Sequence, residues 1–154
     1  MLLKNMPVAL VDHIDRNPEK QLLRGRVGYI EGWVLHPGES SQFQDGVRIL
    51  KKPPKVVFVR FQERVGEGAN ARWEDCKWVV CDLPLGVYPI PARPRSWYLD
   101  QKRQRPVLRV KREQIPLAPY FSITAHAAQG QTLQAAIVDL QIGRCVSVVA
   151  SYIA

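Results

Sequence analysis

The sequence predicts an α/β protein with a large β part: a small antiparallel β-barrel over residues 1–115, followed by a partial α/β segment over residues 116–154. Three observations predict this division. All twelve prolines lie at or before Pro119. The first 115 residues consist of short β-prone runs separated by turns that contain Gly and Pro, which is typical of small antiparallel barrels. After Pro116 the apolar residues have helical spacing and an apolar run follows, which is typical of an α/β layer.

The predicted barrel strands are rich in β-branched and aromatic residues, and they are residues 27–34, 55–61, 77–81, 86–90 and 107–115. The run K-V-V-F-V-R-F at 55–61 is the clearest of them. The strand that contains Pro89 is expected at a sheet edge, because proline has no N–H to donate to a neighbour. The strand at 107–115 alternates apolar and basic side chains, as a strand with one solvated face does.

The segment after Pro116 predicts a helix, a turn and a strand. Residues 117–129 have close to helical spacing, and Pro116 and Pro119 fit a first helical turn, where a missing N–H is harmless. Gly130 is suited to end this helix in a left-handed conformation. The apolar run at 135–140 then predicts a buried strand, so two architectures meet near residue 116.

Composition excludes several classes of protein. The chain has 154 residues, 46% of them hydrophobic, which is enough to bury a core and argues against wholesale disorder. It has no run of about 18 apolar residues, so we expect no transmembrane helix and no membrane partner. Its three cysteines lack CxxC spacing, which argues against a disulfide framework or a zinc site and favours a reducing compartment. The run D-H-I-D at 12–15 lacks a third nearby ligand, and we predict no metal site there.

Apolar packing also determines what we expect of the tryptophans and of one cysteine. In a small barrel most aromatic side chains lie in the core, so stacking of any one of the four tryptophans on a base is the less favoured interpretation. Cys81 is expected to be inert within an apolar strand.

The net charge of +8 indicates a polyanionic partner, and its distribution locates the contact. Eight lysines and arginines lie within residues 93–112, opposed only by Asp100. Such concentrated charge on a folded protein is typical of nucleic-acid binding, and Arg103 and Arg105 at the centre of the cluster are candidate contacts. A milder basic cluster spans residues 48–64. A solvated basic face without a partner is the alternative interpretation of both clusters.

Polar residues gather around a glycine in residues 122–133, S-I-T-A-H-A-A-Q-G-Q-T-L. Gly130 allows a ligand to approach the backbone closely. The surrounding donor side chains are Thr124, His126, Gln129, Gln131 and Thr132. Turns of this kind at the edge of an α/β sheet bind nucleotides and phosphates. Alternatively, Gln129 and Gly130 only cap the helix and His126 is an ordinary surface histidine.

The stretch from residue 112 to 140, R-E-Q-I-P-L-A-P-Y-F-S-I-T-A-H-A-A-Q-G-Q-T-L-Q-A-A-I-V-D-L, resembles the motif V region of superfamily-one DNA helicases of the Pif-one/RecD-like group. Earlier segments resemble that group's β-barrel insertion, and they are residues 2–5, 23–28 and 54–58. The tail at 150–154 resembles the beginning of motif VI. The resemblance implies an SH3-like barrel over residues 1–115 and a partial second RecA-like domain over residues 116–154.

The same resemblance implies a function. The chain is expected to be a C-terminal fragment of an ATP-dependent 5′–3′ DNA helicase, whose parent protein uses ATP and Mg²⁺. The implied single-strand contacts are Thr124, His126, Gln129 and Gly130. The implied residues of the nucleotide cleft are Gln131 and Thr132. The implied partners are single-stranded or forked DNA and the remaining helicase domains of the parent, in an intracellular, DNA-containing compartment such as the nucleus.

The sequence departs from the family pattern in ways that bear on activity. Ala127 stands where the family has a lysine, which removes one cation. The phosphate-cradling loop G-x-x-x-x-G-K-[ST], an acidic pair for magnesium and the motif VI arginine are missing from the 154 residues, so we expect neither ATP hydrolysis nor a bound cofactor from this chain alone. Two alternatives stay open: a stand-alone basic β-barrel module that binds DNA or RNA without enzymatic activity, and a degenerate helicase remnant.

Overall fold

A computed structural model of the chain describes residues 2–40, 42–45, 47–66, 68–100, 102 and 107–122. Strands occupy 48% of this part of the chain, and its one helical element is a 3₁₀ turn at Gly68–Asn70. The chain divides into two units after Pro119. All the elements below belong to the first unit.

The described strands, in chain order, are β1 (Pro7–Leu10), β2 (Val27–Val34), β3 (Gln42–Gln44), β4 (Val47–Ile49), β5 (Val56–Val65), β6 (Arg72–Asp75), β7 (Val87–Pro91), β8 (Arg93–Tyr98), β9 (Arg109–Gln114) and β10 (Leu117–Pro119). Six of them form one antiparallel sheet in the order β10-β1-β2-β5-β6, with β7 paired to the first half of β5. β5 is the organising strand, because it pairs with β2 along one side and with both β7 and β6 along the other. β3–β4 and β8–β9 are separate two-stranded ribbons.

Alternation along β5 builds the core. Val57, Val59 and Phe61 are fully buried, whereas the residues between them are partly exposed. Ile30 of β2 and Ile90 of β7 belong to the same buried cluster. Full burial of each such side chain contributes about 1.5–3 kcal/mol, a large share of the about 5–15 kcal/mol by which a domain is stable.

The loop between β1 and β2 is fixed to this core. Leu22 is fully buried, and its carbonyl accepts a hydrogen bond of 2.8 Å from the backbone N–H of Ile14. The Asp15 carboxylate accepts hydrogen bonds from the Asn17 N–H at 2.9 Å and from Lys20 Nζ at 3.2 Å. The bond from Asn17 is the main reason why the pKa of Asp15 lies below its ordinary value. The loop therefore has one defined path, and it holds the side chains of the cleft described below.

The mostly β, antiparallel architecture is confirmed, but the described strands do not close into the expected barrel. β10 ends the sheet on one side, and β6 and β7 end it on the other. The edge strands contain Pro89, Pro91 and Pro119. A proline cannot donate a ladder hydrogen bond, so beyond the first residue of a strand it is tolerated at a sheet edge. The edge position predicted for the strand with Pro89 is confirmed.

Strands predicted around residues 27–34, 55–61, 86–90 and 107–115 are confirmed, whereas the strand at 77–81 is wrong. The backbone there closes turns instead of pairing, because Trp78 O accepts from Gly86 N at 3.0 Å and Val80 O accepts from Leu83 N at 3.2 Å. Cys81 is consequently exposed, with a φ of 52°, and does not lie in an apolar strand.

The predicted helix at 117–129 is wrong at its beginning. Residues 117–119 form β10, in which Leu117 pairs with Leu10 and Pro119 with Val8. Pairing with β1 satisfies backbone groups that a first helical turn leaves without an intrahelical partner. The remainder of that helix from residue 123, the strand at 135–140 and the RecA-like part of the expectation lie outside the described residues.

Candidate nucleic-acid interface

β8 and β9 form a basic two-stranded ribbon, here called the basic ribbon (Arg93–Tyr98 and Arg109–Gln114). Six antiparallel pairs connect the strands, from Arg93 opposite Gln114 to Tyr98 opposite Arg109. One further backbone bond, of 2.8 Å from Leu99 N to Leu108 O, extends the ladder. The sequence forms this ribbon because both strands carry side chains that tolerate solvent on two faces.

Cross-strand pairs share a face of a ribbon, so the register assigns each side chain to one of two faces. One face carries Arg93 and Gln114 at the base, then Arg95 opposite Arg112, then Trp97 opposite Val110. This face is cationic at its base and apolar farther along.

The opposite face presents a second set of cations. Ser96 lies opposite Lys111, and Tyr98 lies opposite Arg109. Arg109 Nη2 donates to Ser96 Oγ at 3.1 Å, a diagonal contact that this register allows. Glu113, opposite Pro94, is the exposed carboxylate of this face. Both faces therefore carry cations, and this face also carries one negative charge.

Asp100 holds the two strands together where the ladder ends. Its carboxylate accepts hydrogen bonds of 3.1 Å from the backbone N–H groups of Val107 and Leu108. The bond from Val107 is the main reason why the pKa of Asp100 lies below its ordinary value. The lone acidic residue within 93–112 is thus engaged with the backbone.

The ribbon's cations are solvent-facing and largely unneutralised. The side chains of Arg109, Lys111 and Arg112 are exposed. No ion pair forms to any of these three among the described residues. Arg95 is the exception, since it pairs with the carboxylate of Asp12. A polyanion therefore meets free charge along most of this surface.

An arginine-rich cleft of about 670 Å³ lies at the base of the ribbon. Its lining residues, here called the arginine cleft, are Val11, Asp12, His13, Arg16, Arg24, Arg93, Pro94, Arg95 and Gln114. Arg93 Nη1 donates to the His13 carbonyl at 3.3 Å, and His13 Nδ1 accepts from the Arg24 N–H at 3.2 Å. The first bond connects the β1–β2 loop to β8, and the second closes that loop on itself.

The sequence did not indicate this cleft. Arg16 and Arg24 lie far along the chain from Arg93, and neither belongs to a basic cluster in the sequence. Only the path of the β1–β2 loop places them beside the ribbon. No local sequence pattern therefore predicts that these arginines lie together.

The milder basic cluster at 48–64 is partly neutralised. Arg60 lies 3.3 Å from a carboxylate oxygen of Glu31 and 3.2 Å from one of Asp75. Gln62 Nε2 donates to the same Asp75 carboxylate at 2.9 Å. The charge of Arg60 is consequently neutralised by carboxylates of the sheet. The basic ribbon is therefore the stronger candidate for a surface that binds a polyanion.

The tryptophans are more exposed than expected. Trp33, Trp73 and Trp97 are exposed by 38%, 56% and 37%, so the expectation of a core location is wrong for these three. Trp78 does pack on the core, with ring centroids 6.3 Å from Phe61. An exposed indole ring is poorly hydrated and is therefore available to a ligand. Trp97 lies on the same face of the ribbon as Arg93 and Arg95.

The acidic run at 12–15 has partners of its own. Asp12 pairs with Arg95, while Asp15 pairs with Lys20. No group of three His, Cys, Asp or Glu able to hold a metal ion occurs in the part of the chain that the structure describes.

Every site residue named from the sequence lies outside the described residues. These residues are Arg103, Arg105, Thr124, His126, Gln129, Gly130, Gln131 and Thr132. Arg103 and Arg105 fall between β8 and β9, whereas the others follow the last described residue, Ser122.

Comparison with models of known protein families, with curated proteins and with solved structures finds no match to this chain. Within the described ranges, no helix is long and apolar enough to cross a membrane.

Proposed function

We propose that this chain binds single-stranded nucleic acid through the basic ribbon, as the β-rich part of an ATP-dependent DNA helicase. The observation that carries the binding proposal is the set of exposed cations on the two faces of β9 that have no ion-pair partner among the described residues, which are Arg109, Lys111 and Arg112. Each cation that meets a phosphate releases a condensed counterion, which favours binding irrespective of base sequence.

Aromatic groups beside the cations favour a single strand over a duplex. Trp97 and Tyr98 are exposed by 37% and 42%, next to each other on opposite faces of the ribbon. Unpaired bases stack on such rings, and each stack is worth about 1–3 kcal/mol. A duplex keeps its bases stacked on one another and offers only its backbone.

The helicase part of the proposal rests on residues 112–140 and their resemblance to motif V. In the parent protein, hydrolysis of ATP with Mg²⁺ drives translocation, and single-stranded or forked DNA is the substrate. This chain contributes DNA contacts and one wall of the nucleotide cleft. The exposed cations and rings of the ribbon equally support a second candidate, a basic β module that binds DNA or RNA without enzymatic activity.

Fluorescence anisotropy of labelled single-stranded oligonucleotides tests the binding proposal. The 154-residue chain is expected to bind oligonucleotides of unrelated sequence with similar affinity, and log Kd is expected to rise linearly with log salt. Binding that is absent at low salt, or that does not weaken as salt rises, contradicts the proposal.

ATP hydrolysis separates the two candidate functions. The chain alone is expected to show no DNA-stimulated ATPase activity. The full-length gene product is expected to hydrolyse ATP if it carries the phosphate-cradling loop and the motif VI arginine. A full-length product without these motifs and without hydrolysis favours the stand-alone module.

A further inference from the structure

We propose that the arginine cleft is a binding site for one phosphate group. The phosphate comes from a strand terminus, from an internal phosphodiester or from free phosphate. For the first two sources the inference rests on the proposed function, since it names where a strand anchored on the basic ribbon places one phosphate.

The charge of the cleft favours an anion. Four arginines line it, opposed by the single carboxylate of Asp12. Arg95 also lies directly opposite Arg112 across the ribbon, and like charges at such a position are destabilising. Guanidinium groups bind phosphate through paired N–H donors and hold it better than lysines do. A phosphate in the cleft therefore lies among four guanidinium groups that face a single carboxylate.

Donor groups on the cleft walls are held in position. His13 Nδ1 accepts the Arg24 N–H, so in the neutral ring the proton lies on Nε2, which is left to donate. Arg93 is held by its bond to the His13 carbonyl. Because these contacts already hold the Arg93 guanidinium and the His13 ring, little ordering of these two groups is needed when the phosphate arrives.

The Asp12 carboxylate is the anion that pairs with a cleft arginine in this structure. Its side chain is only 15% exposed, and it pairs with Arg95, whose side chain is 65% exposed. A phosphate must compete with this carboxylate for the Arg95 guanidinium. Removing the charge of Asp12 therefore strengthens phosphate binding, whereas removing a cleft arginine weakens it. A merely diffuse basic surface does not predict that Asp12 and Arg93 act at one site.

Titration of the arginine Nε–Hε resonances of the ¹⁵N-labelled chain with inorganic phosphate tests the site. Saturable shifts are expected for the cleft arginines. Arg93→Ala is expected to weaken phosphate binding by about ten-fold, and Asp12→Asn is expected to strengthen it several-fold. Arg64→Ala removes the same charge at an exposed position that does not line the cleft, and is expected to change nothing.

Three results overturn the inference: shifts that do not saturate, equal shifts at Arg64 and in the cleft, or Asp12→Asn binding that is unchanged or weaker. Asp12→Asn gains affinity only if the cleft folds, so a tighter complex cannot arise from misfolding. Arg93→Ala is checked against the parent by the dispersion of its amide resonances.

Oligonucleotides with and without a 5′-phosphate identify the source of the phosphate. A terminal monoester is indicated if only the phosphorylated strand displaces inorganic phosphate, and an internal phosphodiester if both strands do so. Displacement by neither strand indicates free phosphate as the ligand. Oligonucleotide binding without any phosphate site overturns this inference and leaves the proposed function intact. Phosphate binding without oligonucleotide binding does the reverse.

Discussion

Removing three cations of β9 tests the basic ribbon directly. The triple variant Arg109→Ala, Lys111→Ala and Arg112→Ala eliminates side chains that are exposed and have no ion-pair partner among the described residues. Because none of them is buried, the variant is expected to fold like the parent. Its effect on single-strand binding then measures how many phosphates the ribbon contacts.

The magnitude follows from the number of contacts. Each phosphate contact with a single strand changes log Kd by about 0.7 for a ten-fold change in salt. If all three side chains contact phosphates, the salt slope is expected to fall by about 2. This electrostatic contribution vanishes at about 1 M salt. At about 0.1 M salt, the Kd of the variant is therefore expected to be about a hundred-fold higher than the Kd of the parent.

The assay is anisotropy of a labelled oligothymidylate over a series of salt concentrations. A matched control removes three exposed lysines outside the ribbon, which are Lys51, Lys52 and Lys55. The control is expected to retain most of the parent's slope. An unchanged slope in the ribbon variant, or an equal loss in the control, refutes the assignment of the ribbon as the contact surface. Arg103→Ala with Arg105→Ala is expected to reduce affinity for all sequences alike.

Further predictions concern the fold and the motif V region. Gly28→Ala is expected to destabilise the chain by about 1–3 kcal/mol, because the new Cβ would lie 2.6 Å from Val59 Cγ1; unchanged unfolding in urea argues against this packing. The pKa of Asp15 is lowered in the folded chain, so its stabilisation is full above the ordinary value of 3.8 and is lost as pH falls through the folded pKa. The difference in Tm between the parent and Asp15→Asn should therefore shrink in acid, and a constant difference contradicts it. In the full-length helicase that we propose, Thr124→Val is expected to weaken single-strand binding by about ten-fold or more, and Thr132→Val to impair ATP hydrolysis with DNA affinity retained. Parent-like behaviour of both variants at an unchanged Tm favours the helix-cap interpretation.

Local sequence patterns were sufficient for β2, β5 and β7, three of the six strands of the sheet. The run at 55–61 alternates apolar residues in a way that only a half-buried strand satisfies, and it became the centre of the sheet as β5. The alternation at 107–115 likewise identified β9, but the expectation of a single solvated face is wrong, because exposed cations lie on both faces of this strand. In both segments the pattern that determines the strand lies within the strand itself.

Patterns failed where a distant partner decides the local structure. Residues 117–119 begin a stretch with helical spacing, but pairing with β1 makes them a strand. No residue near them in the sequence indicates that β1 is their partner. Trp78 lies in a β-prone run, yet its carbonyl is taken by Gly86 across a turn. Backbone groups take whichever partner the tertiary fold supplies, and local propensity is a weaker influence.

The sequence by itself determined the β-rich class and the position of the basic cluster at 93–112, because strand alternation and charge clustering are properties of neighbouring residues. The tertiary structure alone decided that the described strands form an open sheet and that three tryptophans face solvent. It also assembled the arginine cleft, in which Arg24 and Arg93 meet across the His13 backbone and ring. Residues so far apart in the chain come together only through the loop that Leu22 anchors in the core, and that long-range burial leaves no local pattern in the sequence.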